Sequence, residues 1–279
     1  MRKKLKIIFL TIFSLVLFLL ALLSIQYTPR YVYRLITMNV ADVYDYKNFE
    51  NQEIKAAKST NTFITQPKEK YVESLFEELV TKTGFNSFEE WAIESQTTAL
   101  IVIKKDTIIY EKYFNDFVRD SYFHSQSMAK SFISFLIGAA IDDGLIKSIE
   151  DSITNYIPEL LERDQRFGMI SIKDLLEMRS GLEYNTSLIP FTNIHSPWHD
   201  EAVGYYHPSV RKLLLENVEI SSESRKYFQY SNYNTSYLGL ILERATNLTV
   251  SSYLEQKLWS RIMEYDALFS VDSKKSNFE

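Results

Sequence analysis

The apolar positions of this chain form one long uninterrupted run close to the N-terminus. Residues 7–25 carry no charged side chain, and Arg2, Lys3, Lys4 and Lys6 precede them. About 20 apolar residues suffice to cross a bilayer, so residues 1–26 predict a transmembrane helix or a signal sequence. The basic flank predicts a cytoplasmic N-terminus with the rest of the chain extracytoplasmic. Residues 21–24 make a poor cleavage site, which favours an uncleaved anchor over a secreted form.

After this run the pattern becomes polar and then periodic. Residues 27–68 scatter tyrosine, asparagine and lysine without a clear period, and they predict a linker or an extended lead. Residues 69–279 are the predicted folded domain. Its first element is a helix over 69–83, which Gly84 is suited to end.

Strand and helix patterns follow one another along this domain. The β-branched residues of 98–104 and 107–114 predict a hairpin that breaks at Lys105-Asp106. The mostly apolar run from Ser127 to about Gly144 predicts a helix buried in the middle of the domain. Shorter helices are predicted over 171–181, 209–217, 235–246 and 250–261, with Ser171, Asp174 and Thr249 as capping residues, and loops over 149–161, 182–208 and 227–233.

Composition narrows the class of protein. The chain has 279 residues, a net charge of -5 and no cysteine. Its 7 glycines form none of the phosphate-binding loops of nucleotide enzymes. The absence of cysteine excludes disulfides and a cysteine nucleophile. From the negative net charge we expect no nucleic-acid partner, and we expect no cofactor.

Three histidines lie close together, but their pattern is poor for a metal site. His195 and His199 are four residues apart, and His207 follows them. Pro197 interrupts the helix that a zinc-binding pair would need, and no carboxylate occupies the place expected in such a motif. We expect no metal here, and we expect these histidines to line the 182–208 loop.

A thin polar stripe crosses the apolar 127–144 helix, and it begins with Ser127 and Lys130. Residues three apart share a helix face, so the amine can reach the hydroxyl. A serine hydroxyl needs a base to act as a nucleophile, and a lysine with a destabilised ammonium can supply one. The start of the helix adds partial positive charge for a developing oxyanion. The pattern alone fits equally well a solvated helix start with an exposed lysine.

A second polar group, Tyr230-Ser231-Asn232, precedes the last predicted helices. A tyrosine close to a lysine can act as its phenolate partner, and an asparagine can hold a substrate amide. Taken singly, the group fits better a core tyrosine followed by a helix-capping asparagine.

Together and in this order, the two motifs resemble the serine β-lactamase and penicillin-binding-protein-like superfamily, in its class C β-lactamase and esterase branch. The resemblance runs from about residue 98 to residue 272. The sequence Ser-Met-Ala-Lys-Ser-Phe is most similar to that of the 6-aminohexanoate-dimer hydrolase subgroup. The segments that carry the resemblance are residues 123–131, 172–182, 230–232 and 238–239.

This resemblance implies an α/β (α+β) fold in which a helical subdomain packs on an antiparallel sheet. It implies a serine hydrolase that forms an acyl-enzyme with a small amide, ester or peptide-like substrate. Ser127 is the implied nucleophile, Lys130 and Tyr230 are the implied general acid–base pair, and Asn232 is the implied substrate-binding residue. The oligomeric state stays open.

The sequence departs from the family pattern after Asn232. The family has a third motif, Lys-Thr-Gly or His-x-Gly, on a later strand, but the only later glycine is Gly239, inside a predicted helix. Lys82-Thr83-Gly84 lies upstream and fits a helix end. We therefore expect a truncated domain that ends at Glu279 without its C-terminal strands. Three alternatives stay open: a penicillin-binding or sensor module without turnover, a D-Ala-D-Ala peptidase relative, and an inactive fragment.

Overall fold

The computed structural model describes residues 2–38, 42–59, 62–186, 198–221 and 227–272. A 3₁₀ turn precedes the fifth helix, and a π-helical turn joins the last two helices. In chain order, the helices and strands are α1 (Arg2–Gln26), α2 (Pro29–Met38), β1 (Glu50–Ile54), β2 (Ile64–Thr65), α3 (Glu69–Lys82), α4 (Phe88–Glu94), β3 (Ala99–Lys104), β4 (Thr107–Tyr113), α5 (Ala129–Asp142), α6 (Glu159–Arg163), α7 (Ile172–Leu176), α8 (Asp200–Tyr206), α9 (Val210–Glu216), α10 (Asn232–Thr246), α11 (Val250–Leu254), α12 (Ser260–Ile262) and β5 (Ala267–Val271).

The chain divides into two compact units, and the smaller one comprises residues 55–124 and 259–267. Its sheet has the strand order β2-β4-β3. Strands β3 and β4 pair antiparallel, which confirms the predicted hairpin. Lys105 and Asp106 both have positive φ angles, 51° and 56°, as a two-residue loop between twisted strands requires. Strand β2 pairs parallel with β4, so this sheet is mixed rather than purely antiparallel as predicted.

Helices α3 and α4 cover this sheet with an apolar face. Helix α3 confirms the predicted 69–83 helix, and Gly84 follows it with a φ of 90°. Helix α4 was not predicted; the Ser87 hydroxyl caps it by accepting a hydrogen bond from the backbone N–H of Glu90. The buried core of the unit consists of Val72, Val80, Phe88, Ala92, Ile109, Tyr110 and Phe114.

The larger unit comprises residues 1–54, 125–258 and 268–279 and is built around α10. This helix packs against α5, α7, α8 and α9. Asn247 ends it in the left-handed conformation, with a φ of 56°. Because α10 is buried along most of its length, it fixes the helices that surround the site. Its buried residues are Tyr233, Asn234, Tyr237, Leu238, Gly239, Leu240, Ile241, Leu242 and Glu243.

Helix α5 confirms the predicted 127–144 helix but not its complete burial. Ile133, Leu136, Ile137 and Ala140 are buried, and they recur at helical spacing. Phe135, on another side of the helix, is 45% exposed. The helix therefore packs through one face, and the polar stripe with Ser127 and Lys130 lies outside that buried face.

The segment predicted as an irregular lead contains ordered elements. Helix α2 buries Tyr31, Val32, Leu35 and Met38, and it packs against α8. Strand β1 pairs with β5 in a two-stranded sheet. Residues 1–54 thus belong to the larger unit, whereas the linker prediction had separated residues 27–68 from the domain.

Helix α1 is long and apolar enough to cross a membrane. Its side chains are almost all exposed, with Leu23 buried near its end. A signal sequence near an N-terminus has the same length and composition.

Capping chemistry places several helix starts as predicted. Ser171 and Asp174 form a complete capping box for α7, and the Thr249 hydroxyl caps α11. Helix α7 ends at Leu176, however, short of the predicted Gly181. Met178 is the reason, because it adopts a positive φ of 56° that no helix can continue through.

The predicted 182–208 loop is in part helical. Helix α8 occupies residues 200–206 of it, and residues 187–197 lie outside the described residues.

Candidate active site

The candidate nucleophile lies where the chain enters helix α5. Ser127 sits in a 3₁₀ turn, Gln126–Met128, and α5 follows at once. Gln126 has a positive φ of 49°, a conformation that costs a residue other than glycine about 1–3 kcal/mol and recurs at functional sites. The Ser127 side chain is exposed at this sharp entry to the helix. The sequence predicts Ser127 inside the first turn of the helix, whereas in the structure it lies in the 3₁₀ turn just before α5.

Lys130 reaches the nucleophile from one turn along the helix. Its Nζ donates a hydrogen bond to Ser127 Oγ over 3.1 Å. The residue as a whole is half-buried. The three-residue spacing therefore produces the contact that the sequence predicted.

Tyr230 approaches the same oxygen from the segment that precedes α10. Its hydroxyl donates a hydrogen bond to Ser127 Oγ over 2.7 Å. The Lys130 Nζ lies 5.1 Å from the centroid of the Tyr230 ring, close enough for a cation–π contact. The structure thus brings Ser127, Lys130 and Tyr230 together around one hydroxyl oxygen.

The surroundings lower the pKa of the Tyr230 phenol below its usual value. Partial burial raises this pKa, but hydrogen bonding with Ser127 and Lys130 and the positive charge of Lys130 outweigh the burial. The carboxylate of Glu201 acts weakly in the opposite direction. A phenol with a lowered pKa spends more time as phenolate near neutral pH, so it can accept a proton from Ser127.

Asn232 does not join this cluster. It is the first residue of α10 and is half-buried. Within the described part of the chain, no side-chain hydrogen bond links it to Ser127, Lys130 or Tyr230. Its backbone oxygen accepts a hydrogen bond from Ser236 Oγ inside the helix.

His199 and His207 each form a hydrogen bond with the backbone of the residue two positions further along the chain. The Nδ1 atom of His199 accepts a hydrogen bond from the backbone N–H of Glu201, and that of His207 lies 2.6 Å from the Ser209 oxygen. Both residues are buried, and burial lowers the pKa of His207. No group of three metal-ligating side chains occurs among the residues that the structure describes, and His195 lies outside them.

Asp200 was not recognised as part of the site, although it braces the helix that follows Tyr230. Its carboxylate accepts hydrogen bonds from the backbone N–H of Asn185 over 2.5 Å and from the Tyr233 hydroxyl over 2.8 Å. Its own N–H donates to the Asn185 oxygen. Burial raises the pKa of Asp200. In the sequence it is an ordinary acidic residue within the predicted 182–208 loop, which gives no signal of these contacts.

Comparison with known proteins identifies the family. The family model described as Beta-lactamase matches residues 74–276. This match covers most of the chain, so the chain belongs to the Beta-lactamase family.

Individual relatives are more distant. The 6-aminohexanoate-dimer hydrolase of Paenarthrobacter ureafaciens is 27% identical over 203 residues, which are 70% of this chain and 50% of that protein. This chain therefore spans about half the length of the curated relative that it matches.

One solved structure shows a similar fold over most of this chain. A Bacillus anthracis protein provisionally described as a 6-aminohexanoate-dimer hydrolase superposes with a TM-score of 0.64 at 18% identity, over 84% of this chain and 62% of that one. A class C β-lactamase mutant gives a TM-score of 0.44 at 17% identity, over 68% of this chain and 47% of that one. The family match and the superposition on the Bacillus anthracis protein give a β-lactamase-like fold with mixed helices and sheets, as the sequence predicted.

Proposed function

We propose that this chain is a membrane-anchored serine hydrolase that forms an acyl-enzyme on Ser127. The observation that carries the proposal is the pair of hydrogen bonds to Ser127 Oγ, from Lys130 over 3.1 Å and from Tyr230 over 2.7 Å. Two groups that can exchange a proton thus contact one exposed hydroxyl. Membership of the Beta-lactamase family and the name of the Paenarthrobacter relative support a hydrolase.

The reaction follows from these contacts. Ser127 Oγ attacks the carbonyl carbon of an amide or ester, and its proton passes to the acid–base pair formed by Tyr230 and Lys130. The tetrahedral intermediate then expels the amine or alcohol, which takes up that proton. Water next attacks the acyl-enzyme and transfers a proton to the same pair, so the acid is released and Ser127 Oγ regains its proton.

The proposed substrate is small and amide-, ester- or peptide-like. Tyr230 is 46% exposed and Ser127 is exposed too, so the scissile group can reach them from solvent. Asn232, at the start of α10, is the proposed residue for orienting the substrate. It lies two residues from Tyr230, and among the described residues its side chain makes no hydrogen bond to the catalytic cluster.

The proposed location is the cell membrane, with α1 as the anchor and the catalytic residues outside the cytoplasm. The length and composition of α1 and the basic residues before its apolar run support this orientation. Full-length protein should stay with membranes after alkaline carbonate washing and be released by detergent. The double variant Leu15→Arg/Phe18→Arg should be lost from the membrane fraction, and unchanged partitioning would refute the anchor.

Turnover distinguishes a hydrolase from a module that only binds or acylates. The full-length chain in detergent is tested with a panel of chromogenic esters and short amide oligomers, beside Ser127→Ala and Ser131→Ala. Ser131 is an exposed serine on the same helix and serves as the matched control. Many turnovers per chain in the wild type and Ser131→Ala, lost in Ser127→Ala, support the proposal. A single burst without turnover contradicts hydrolysis and favours the binding module.

A further inference from the structure

The segment that carries Tyr230 is hydrogen-bonded to the segment that follows α7. The backbone N–H of Gln229 donates to the Met178 oxygen over 2.9 Å. The Gln229 side-chain Nε2 donates to the Tyr184 oxygen over 3.2 Å. These two bonds fix the backbone just before Tyr230.

The backbone just after Tyr230 is held by a buried asparagine. Asn234 is 1% exposed, and its Nδ2 donates to the Ser231 carbonyl oxygen over 3.4 Å. Its Oδ1 accepts a hydrogen bond from the Ser180 hydroxyl over 2.5 Å, and its Nδ2 also lies 3.4 Å from Met178 Sδ. The buried Asn234 amide thus links the carbonyl of Ser231, the residue after Tyr230, to the segment that follows α7.

Ser231 adds an unfilled hydrogen-bonding position at the same place. It occupies the N-cap position of α10, yet its side chain makes no capping bond. The residue is 1% exposed, and its hydroxyl finds no partner among the described residues. Together with Ser180 and Asn234 it lines a cavity of about 60 Å³. A cavity needs about 10–15 Å³ of such volume to hold a water molecule, and buried hydroxyls are normally hydrogen-bonded.

We propose that Ser180, Asn234 and an internal water held by the Ser231 hydroxyl form a positioning network that keeps Tyr230 at Ser127. The inference rests on the proposed function, because it assigns these groups a task in the same reaction. Among the described residues their side chains make no hydrogen bond to Ser127 or Lys130, and they act through the Ser231 backbone, which directly follows Tyr230. The physical reason is that the Tyr230 side chain is half exposed, so its position is set mainly by the hydrogen-bonded backbone on either side of it.

The first test measures how fast a fluorophosphonate labels the full-length chain between pH 6 and 10. Asn234→Asp removes the Nδ2 donor, and Ser180→Ala removes the bond to Oδ1. We expect each variant to be labelled at least about ten-fold more slowly at pH 7, with the midpoint of the pH profile displaced towards that of free tyrosine. Leu240→Ala, buried in α10 away from the network, is the control: its melting temperature should fall while the midpoint stays unchanged.

A second readout does not depend on activity. Nuclear magnetic resonance of chain carrying ¹³C-labelled tyrosine, with Tyr230→Phe to assign the signal, follows the ionisation of Tyr230 directly. We expect Ser180→Ala and Asn234→Asp to raise the midpoint of this ionisation. Folded variants with the wild-type midpoint would overturn the network, even if wild-type chain proved unreactive and the hydrolase proposal itself failed.

The water is tested by a high-resolution crystal structure. Electron density in the cavity, within hydrogen-bonding distance of Ser231 Oγ and absent in Ser231→Ala, is the expected result. An empty cavity in the wild-type chain would remove the water from the network.

Discussion

The Tyr230 hydroxyl donates a hydrogen bond of 2.7 Å to Ser127 Oγ, although the two residues are 103 positions apart. The contact exists because α10, which follows Tyr230, packs directly against α5, which follows Ser127. The N-terminal ends of α5 and α10 thus lie close together, which brings Ser127 and Tyr230 into contact. The chemistry of the site depends on this packing and on the lysine one turn from Ser127.

Removal of the Lys130 amine should slow acylation of Ser127. Lys130→Ala takes away a hydrogen bond to Ser127 Oγ and the positive charge beside Tyr230, so labelling by a fluorophosphonate should fall about 10²- to 10⁴-fold. Lys130→Arg should not fully restore it, because the larger planar guanidinium keeps the charge but cannot reproduce the position of the lysine amine at Ser127 Oγ. Lys147→Ala, at an exposed position after α5, is the control and should react like the wild type. Normal labelling of Lys130→Ala would remove the lysine from the mechanism.

The pH profile of acylation should report the lowered pKa of Tyr230. Because the phenolate of Tyr230 forms below pH 10 in the folded chain, the labelling rate should rise with pH through a midpoint below 10 and then level off. Tyr230→Phe should lose this rise and react at least about 10²-fold more slowly. An unchanged profile in Tyr230→Phe would contradict the assignment.

Asp200 should make the stability of the fold depend on pH. Burial raises its pKa in the folded chain above the ordinary value of 3.8, so the folded state binds the proton more tightly than the unfolded state. This contribution is complete below about pH 4 and is lost as the pH rises through the raised pKa. The melting temperature of the wild type minus that of Asp200→Asn should therefore increase as the pH falls from 7 to 4. A constant difference would show that the carboxyl titrates normally.

Loss of the α7 capping box should destabilise the fold without altering the catalytic groups. The Ser171 hydroxyl accepts a hydrogen bond from the backbone N–H of Asp174, and the Ser171 backbone N–H donates one in return to the Asp174 carboxylate. Ser171→Ala should lower the free energy of unfolding by about 0.5–2 kcal/mol, as measured by chemical denaturation. Ser134→Ala, at an exposed position within α5, should change it by less than about 0.5 kcal/mol.

Local patterns in the sequence predicted much of this arrangement. The Ser127–Lys130 spacing, the hairpin at Lys105-Asp106 and the capping residue Thr249 each follow from neighbours within a few positions. Tyr230 was found through its resemblance to a family motif, since nothing local links it to Ser127.

The features that were missed depend on distant contacts. The sequence predicts an irregular lead in place of α2 because polar residues, among them Arg34, are scattered through residues 27–68. The structure buries this arginine against the Tyr206 oxygen, with its guanidinium 4.6 Å from the centroid of the Phe49 ring. Strand β5 pairs with β1 from the far end of the chain, and the bonds of Asn234 to Ser180 and Ser231 require the fold to be known.

The central claim is that Ser127 is an activated nucleophile, and intact-mass analysis tests it most directly. The full-length chain in detergent is incubated with a fluorophosphonate, beside Ser127→Ala and Ser131→Ala. The account predicts a single adduct in the wild type and in Ser131→Ala, and none in Ser127→Ala. Absence of an adduct in the wild type, or an adduct that persists in Ser127→Ala, would contradict it.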